Sequence, residues 1–205
     1  MSVRKLSTAS ILSPSYKNSK FWDGETFPGY FESIQTVIVP SGGSANVTFS
    51  NIPQNYSHLQ LRIMARASNA ANLNGMKINF NGDTNSNYAF HLVYGNGSNT
   101  GSEGYGSQTY GFMGNIAGAS QNTGVFAISV IDILDYTNTN KFKTVRALTG
   151  DENNNATTYG YISLSSSLWL SSSAITSLTL DQESSSSTTN FVEFSHFALY
   201  GIRSA

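Results

Sequence analysis

The chain has 205 residues and no cysteine, which excludes a disulfide framework, a Cys-ligated metal and a thiol nucleophile, and its length suits one domain with an arm. Charged residues are 11% of the chain and the formal net charge is -1. So sparse and neutral a surface suits a protein that ends in an assembly, and no apolar run is long enough to cross a membrane as a helix.

The first 20 residues hold Arg4, Lys5, Lys17 and Lys20 and no acid, whereas the remainder holds seven basic and twelve acidic residues. The apolar piece Ile11-Leu12 in this segment is too short for a signal-peptide core. Phe21, Trp22, Phe27, Tyr30 and Phe31 then bring five aromatics into eleven residues, a density foreign to disordered chain. Residues 1–33 read as a basic, aromatic arm that orders on a partner, and residues 34–205 as the folded body. Within the arm, the four cations and the five aromatics are the candidate partner-binding residues.

The body reads as β throughout. Residues 34–39 and 46–50 are β-branched runs joined by Pro40-Ser41-Gly42-Gly43-Ser44, which predicts a hairpin. Over residues 58–67, Leu59, Leu61, Ile63 and Ala65 alternate with Gln60, Arg62, Met64 and Arg66, the period of a half-buried strand. Arg62 and Arg66 fit an inter-subunit salt bridge or a solvated face. Residues 76–81 and 88–94 flank Asn81-Gly82-Asp83, a second hairpin signal. Residues 95–124 are Gly-rich and read as a partner-contacting loop, or a loop carrying a short strand. Strands follow over 125–134, 142–148, 158–164, 167–170, 174–180 and 191–202. Ser165–Ser167 and Ser171–Ser173 read as turn edges, and residues 184–189 as a mobile loop. Nine to eleven short strands with no long helix predict an all-β, antiparallel β-sandwich, jelly-roll-like, with an extended N-terminal arm.

The residues offer little catalytic chemistry. His58, His91 and His196 lie on three predicted strands without zinc-like spacing, no nucleophile elbow or phosphate loop is present, and no cofactor or metal is expected. Asp83-Thr84-Asn85-Ser86-Asn87 imitates the start of a calcium loop, but Tyr88 and Tyr94 occupy the positions of its glycine and closing glutamate. It reads as a turn held by Asx-type hydrogen bonds. Asp132 with Asp135, and Asp151 with Glu152, are the paired carboxylates that hydrolysis of a glycoside would need, but strand-end acids are common. Tyr88, Phe90, Tyr94, Tyr105, Tyr110, Tyr159 and Tyr161 read first as packing residues and second as a stacking platform for sugars. The acidic body argues against nucleic acid.

Several segments carry a family resemblance. These are Phe31-Glu32-Ser33-Ile34-Gln35-Thr36-Val37, Val47-Thr48-Phe49-Ser50-Asn51-Ile52-Pro53, Tyr56-Ser57-His58-Leu59-Gln60-Leu61-Arg62 and Phe80-Asn81-Gly82-Asp83. Asp135-Tyr136 through Asn140-Lys141 and Phe197-Ala198-Leu199-Tyr200-Gly201-Ile202 complete the set. Together, over roughly residues 31–203, they resemble β-sandwich virion proteins of tailed bacteriophages, notably phages of cyanobacteria and marine bacteria. The resemblance implies a structural protein and no enzyme: a capsid decoration (cement) protein, made in the host cytoplasm and carried on the head surface. Its implied partners are the major capsid protein or other virion proteins, with the arm in acidic grooves of the shell. A homotrimer is implied, and neither nucleic acid nor membrane is. The alternative is a tail-fibre, collar or other tail-associated domain that binds host surface glycan through residues 95–118.

Overall fold

A computed structural model describes residues 30–153, 160–183 and 189–203. Among them every regular element is a β-strand: β1 (Phe31–Ile38), β2 (Asn46–Phe49), β3 (His58–Ala65), β4 (Leu73–Phe80), β5 (Tyr88–Gly95), β6 (Thr100–Gln108), β7 (Gly111–Ala117), β8 (Ala127–Leu134), β9 (Lys143–Asp151), β10 (Tyr161–Trp169), β11 (Leu178–Glu183) and β12 (His196–Ile202). They form an eight-stranded sheet, β1-β12-β3-β8-β9-β10-β5-β6, packed on a four-stranded sheet, β2-β11-β4-β7.

The pairing is nested. β1 pairs β12, β2 pairs β11, β3 pairs β8 and β4 pairs β7, all antiparallel. A single long hairpin rolled over itself gives this order, and that is a jelly roll. Two insertions widen one sheet. β5 and β6 form the tip of the rolled hairpin, and β9 and β10 lie between β8 and β11; all four extend the larger sheet beyond the smaller one.

The alternation in β3 places Leu59, Leu61, Ile63 and Ala65 in the core. Phe49, Ile78, Phe80, Tyr136, Phe191 and Phe197 fill the space between the sheets with them. A smaller cluster of Phe90, Leu92 and Phe112 lies under the β5–β6 extension.

The body differs from its sequence reading in four places. Gly42, Gly43, Asn81 and Gly82 hold positive φ angles of 93°, 78°, 53° and 70°, as tight reversals require, but neither turn closes a hairpin. β1 and β2 lie in different sheets, and so do β4 and β5. A residue at positive φ reverses the chain without choosing the partner strand. The Gly-rich stretch holds two full strands, β6 and β7, instead of a loop. In β6, a Cβ on Gly101 would come within 2.6 Å of the Tyr94 ring and one on Gly104 within 2.4 Å of His91, so neighbouring rings cover the missing side chains. Ser165–Ser167 is strand interior, within one continuous β10. The final strand begins only at His196; Phe191 makes isolated bridges to Ser44 and Ala67. β1 starts at Phe31, so the sheet takes in residues 31–33 of the segment assigned to the arm. The expected mobile loop falls largely on 184–188, outside the described residues.

Candidate functional site

Strand β10 has its polarity reversed between its buried ends, Tyr161 and Trp169. Ser163 and Ser165 point into the sandwich, each 1% exposed, while Ile162 and Leu164 point out at 58% and 44%. The outer face continues this pattern across neighbouring strands. Val130, Leu148, Leu164 and Val93 stand opposite one another on β8, β9, β10 and β5. Ile128 and Ile162 extend the apolar area along the adjacent row, with Gly150 between them. A polar row, Asp132, Arg146, Ser166 and His91, borders it.

Packing against β7 explains the inward serines. Gly114 sits at φ +96°, and a Cβ there would meet Thr149 at 2.6 Å and the Ser163 hydroxyl at 2.9 Å. The β7 backbone therefore lies directly on β9 and β10, and only small side chains fit beneath it. Ser167 donates to the Phe112 carbonyl at 3.0 Å and Thr149 to the Met113 carbonyl at 2.7 Å. No such constraint places leucine, valine and isoleucine on the outer face, where nothing within the described residues covers them. Exposed apolar areas of this kind are more often interaction surfaces than scattered surface hydrophobics are.

The opposite face carries a cleft of about 350 Å³ where the smaller sheet stops at β7 and the larger one runs on to β5 and β6. Phe90 and Phe112 form its floor, with ring centroids 5.3 Å apart, and Tyr105 and Tyr110 flank Phe90 at 5.2 and 6.0 Å. Tyr161 stacks on Tyr94 at 5.4 Å. Glu103 accepts a hydrogen bond from Tyr105 Oη at 3.0 Å, and Glu183 accepts one from Tyr110 Oη. Burial, then the Glu183 hydrogen bond, raise the Tyr110 pKa above the ordinary tyrosine value, so the phenol stays a donor. The structure thus gathers five of the aromatics singled out in the sequence. Tyr88 lies elsewhere in the core with Trp169, and Tyr159 is outside the described residues. Glu103 and Glu183 gave no sequence signal, since 80 positions separate them and neither has an acidic neighbour in the described chain other than Asp181.

Of the arm candidates, Arg4, Lys5, Lys17, Lys20, Phe21, Trp22 and Phe27 lie outside the described residues. The Tyr30 carbonyl accepts the Arg203 amide at 2.9 Å. Phe31 stacks on Tyr200 at 4.7 Å, with the Arg62 guanidinium 5.2 Å from its ring centre. Arg66 is no free cation: it donates to the carbonyls of Ala119, Gln121, Asn122 and Val125 and pins residues 119–125.

Asp83 holds an Asx turn, accepting from the Asn85 amide at 2.9 Å and from Trp169 Nε1 at 2.8 Å. Burial pushes its carboxyl up, but the hydrogen bonds from Asn87, Trp169 and Asn85 outweigh that and hold its pKa at about 2. Among the described residues no group of three or more His, Asp or Glu side chains is gathered as a metal ion would need. Asp132 accepts from Gln60 at 2.9 Å, and Asp135 pairs with Lys141 and lies 3.3 Å from His58. Lys143, 1% exposed, donates to the carbonyls of Asn138, Lys141 and Ser172 and closes the turn that begins at Asp135. Burial, then Lys141, lower its pKa.

No protein-family model, curated protein or solved structure matches this chain.

Proposed function

We propose that the chain is a virion structural protein of a tailed bacteriophage, a decoration protein of the head shell that self-associates through the outer face of its larger sheet. The observation that carries this reading is the reversed polarity of β10 over residues 162–165, together with the exposed aliphatic row that Val130, Leu148 and Val93 continue across β8, β9 and β5. Serines inside and aliphatics outside suit a subunit whose outer face is covered by a second copy. The few charges of the chain, 11% of its residues, point the same way, since they leave little repulsion between copies. The resemblance to phage sandwich proteins supplies the virion as the setting, and the trimer as the expected assembly. In this reading Arg4, Lys5, Lys17 and Lys20 pair with acidic grooves of the shell, and Phe21, Trp22 and Phe27 anchor in apolar pockets beside them.

Titration of full-length protein onto stripped virions, imaged with a gold-labelled antibody, tests the proposal. The label is expected on heads, with occupancy that falls as salt rises. Replacing the four arm cations with Ser should lower occupancy and flatten its salt dependence, because exposed ion pairs are screened and worth up to about 1 kcal/mol each. Label confined to tails, or absent from virions, would overturn it.

A further inference from the structure

The cleft under the β5–β6 extension is not used by that assembly. It opens on the inner side of the larger sheet, away from the aliphatic rows. We propose that it binds a neutral pyranose glycan.

The rings come first. Tyr105 is 46% exposed on the edge strand β6 and presents a flat, partly apolar surface, which suits the C–H face of a sugar ring. Phe90 lies only 5.2 Å from Tyr105 and 6.0 Å from Tyr110, so the rings pack against one another. No cage is left between them for an ammonium group, and stacking must occur on their open side. The polar groups come second. Each carboxylate accepts a single phenol hydrogen bond in the cleft, Glu103 from Tyr105 and Glu183 from Tyr110, and retains lone pairs for further donors. Gln108 and Asn115 add side-chain amides to the lining. A ligand that satisfies this set must bring many hydroxyl donors.

Charge narrows the class. Glu103 and Glu183 line the cleft, and among the described residues no lysine or arginine does. Lys77 approaches the Tyr110 ring at 5.9 Å but is paired with Asp181 at 3.4 Å. Uronic and sialic acids would therefore be repelled, and neutral sugars accepted. The volume, about 350 Å³, lies at the lower end of small-molecule sites and suits a short stretch of a polysaccharide. Because the phenols are already held by the carboxylates, the rings lose little freedom on binding.

The test uses the full chain on an array of neutral oligosaccharides, with oligogalacturonate and choline as the acidic and cationic comparisons. Each neutral glycan retained is then titrated in solution. Neutral glycans should bind, and the comparisons should not. Tyr105→Ala and Glu183→Gln should each weaken binding at least about tenfold, from loss of one stacking ring or one charged acceptor. Tyr105 is half exposed, and circular dichroism of both variants should match the parent. Leu164→Ser, on the outer face, should leave affinity unchanged, which separates this site from the assembly surface. Absence of binding by any neutral glycan, affinity unaffected by both cleft variants, or binding of choline alone would overturn the proposal.

Discussion

Asp151 sets one pH dependence of the fold. The carboxylate is buried at the end of β9, accepting from Gln121 at 3.1 Å and from the Tyr161 amide at 3.2 Å. Burial drives its pKa up, the Tyr161 hydrogen bond opposes it, and the charge of Glu152 adds to the rise; the result is about 6 against an ordinary 3.8. The folded state thus holds a proton that the unfolded chain has released. Between those values stability falls as pH rises, and the whole penalty is present above about pH 6. Asp83 works in the opposite direction: with its pKa lowered to about 2 it stabilises the fold above about pH 4, and that contribution is lost on further acidification. Asp151→Asn should therefore stabilise the protein by on the order of 1–2 kcal/mol at pH 7.5 and by almost nothing at pH 4. Urea unfolding at the two values would show it, and an equal effect at both would refute the assignment. The Asx turn of Asp83 was legible because tyrosines stand where a calcium loop needs Gly and Glu. Nothing in the sequence marked Asp151 as buried, since Asp151-Glu152 reads as an exposed pair wherever a turn follows.

Strand β10 shows how far periodicity carries at the scale of an element. The same alternation that placed Leu59, Leu61 and Ile63 correctly in the core would put Ile162 and Leu164 inside and the serines outside. Here the reverse holds, because β7 lies too close for anything larger than Ser or Thr. Periodicity reports two faces; it does not say which one is inward when both faces of a sheet carry apolar residues. β6 was missed for a related reason. Its glycines offer no strand propensity of their own, and the Tyr94 and His91 rings that cover them come from the adjacent strand. The buried serines also differ among themselves. Ser165 Oγ is buried without a partner among the described residues, whereas Ser167 Oγ bonds the Phe112 carbonyl. Ser165→Ala should be neutral or stabilise by up to about 1 kcal/mol, and Ser167→Ala should cost about 1 kcal/mol. Thermal melts of the two variants would separate them; equal losses would mean that both hydroxyls are satisfied.

For the whole molecule, the sandwich and its jelly-roll character were readable from the spacing of turns and short strands, but the inequality of the two sheets was not. It arises because β5, β6, β9 and β10 all add to one side, a choice that no local signal encodes. That widening creates both surfaces: the aliphatic outer face, and the cleft beneath the overhang. If the outer face joins copies, Leu148→Glu with Ile162→Lys should reduce a trimer to monomers in light scattering at micromolar concentration, with an unchanged β-type circular dichroism spectrum, since both side chains are more than half exposed. A trimer that survives both changes would place the contact elsewhere. The nested pairing also constrains how the chain reaches this state. Val37 of β1 lies opposite Phe197, and Leu61 of β3 opposite Leu199, so two early strands wait for the same late one. Until β12 has left the ribosome, β1 and β3 have an open gap between them and unsatisfied backbone along it. Closure must then be a late, long-range event. The contact order it imposes places folding in the milliseconds-to-seconds range of β-rich domains, and leaves a newly made chain dependent on protection from pairing with its neighbours until that gap is filled.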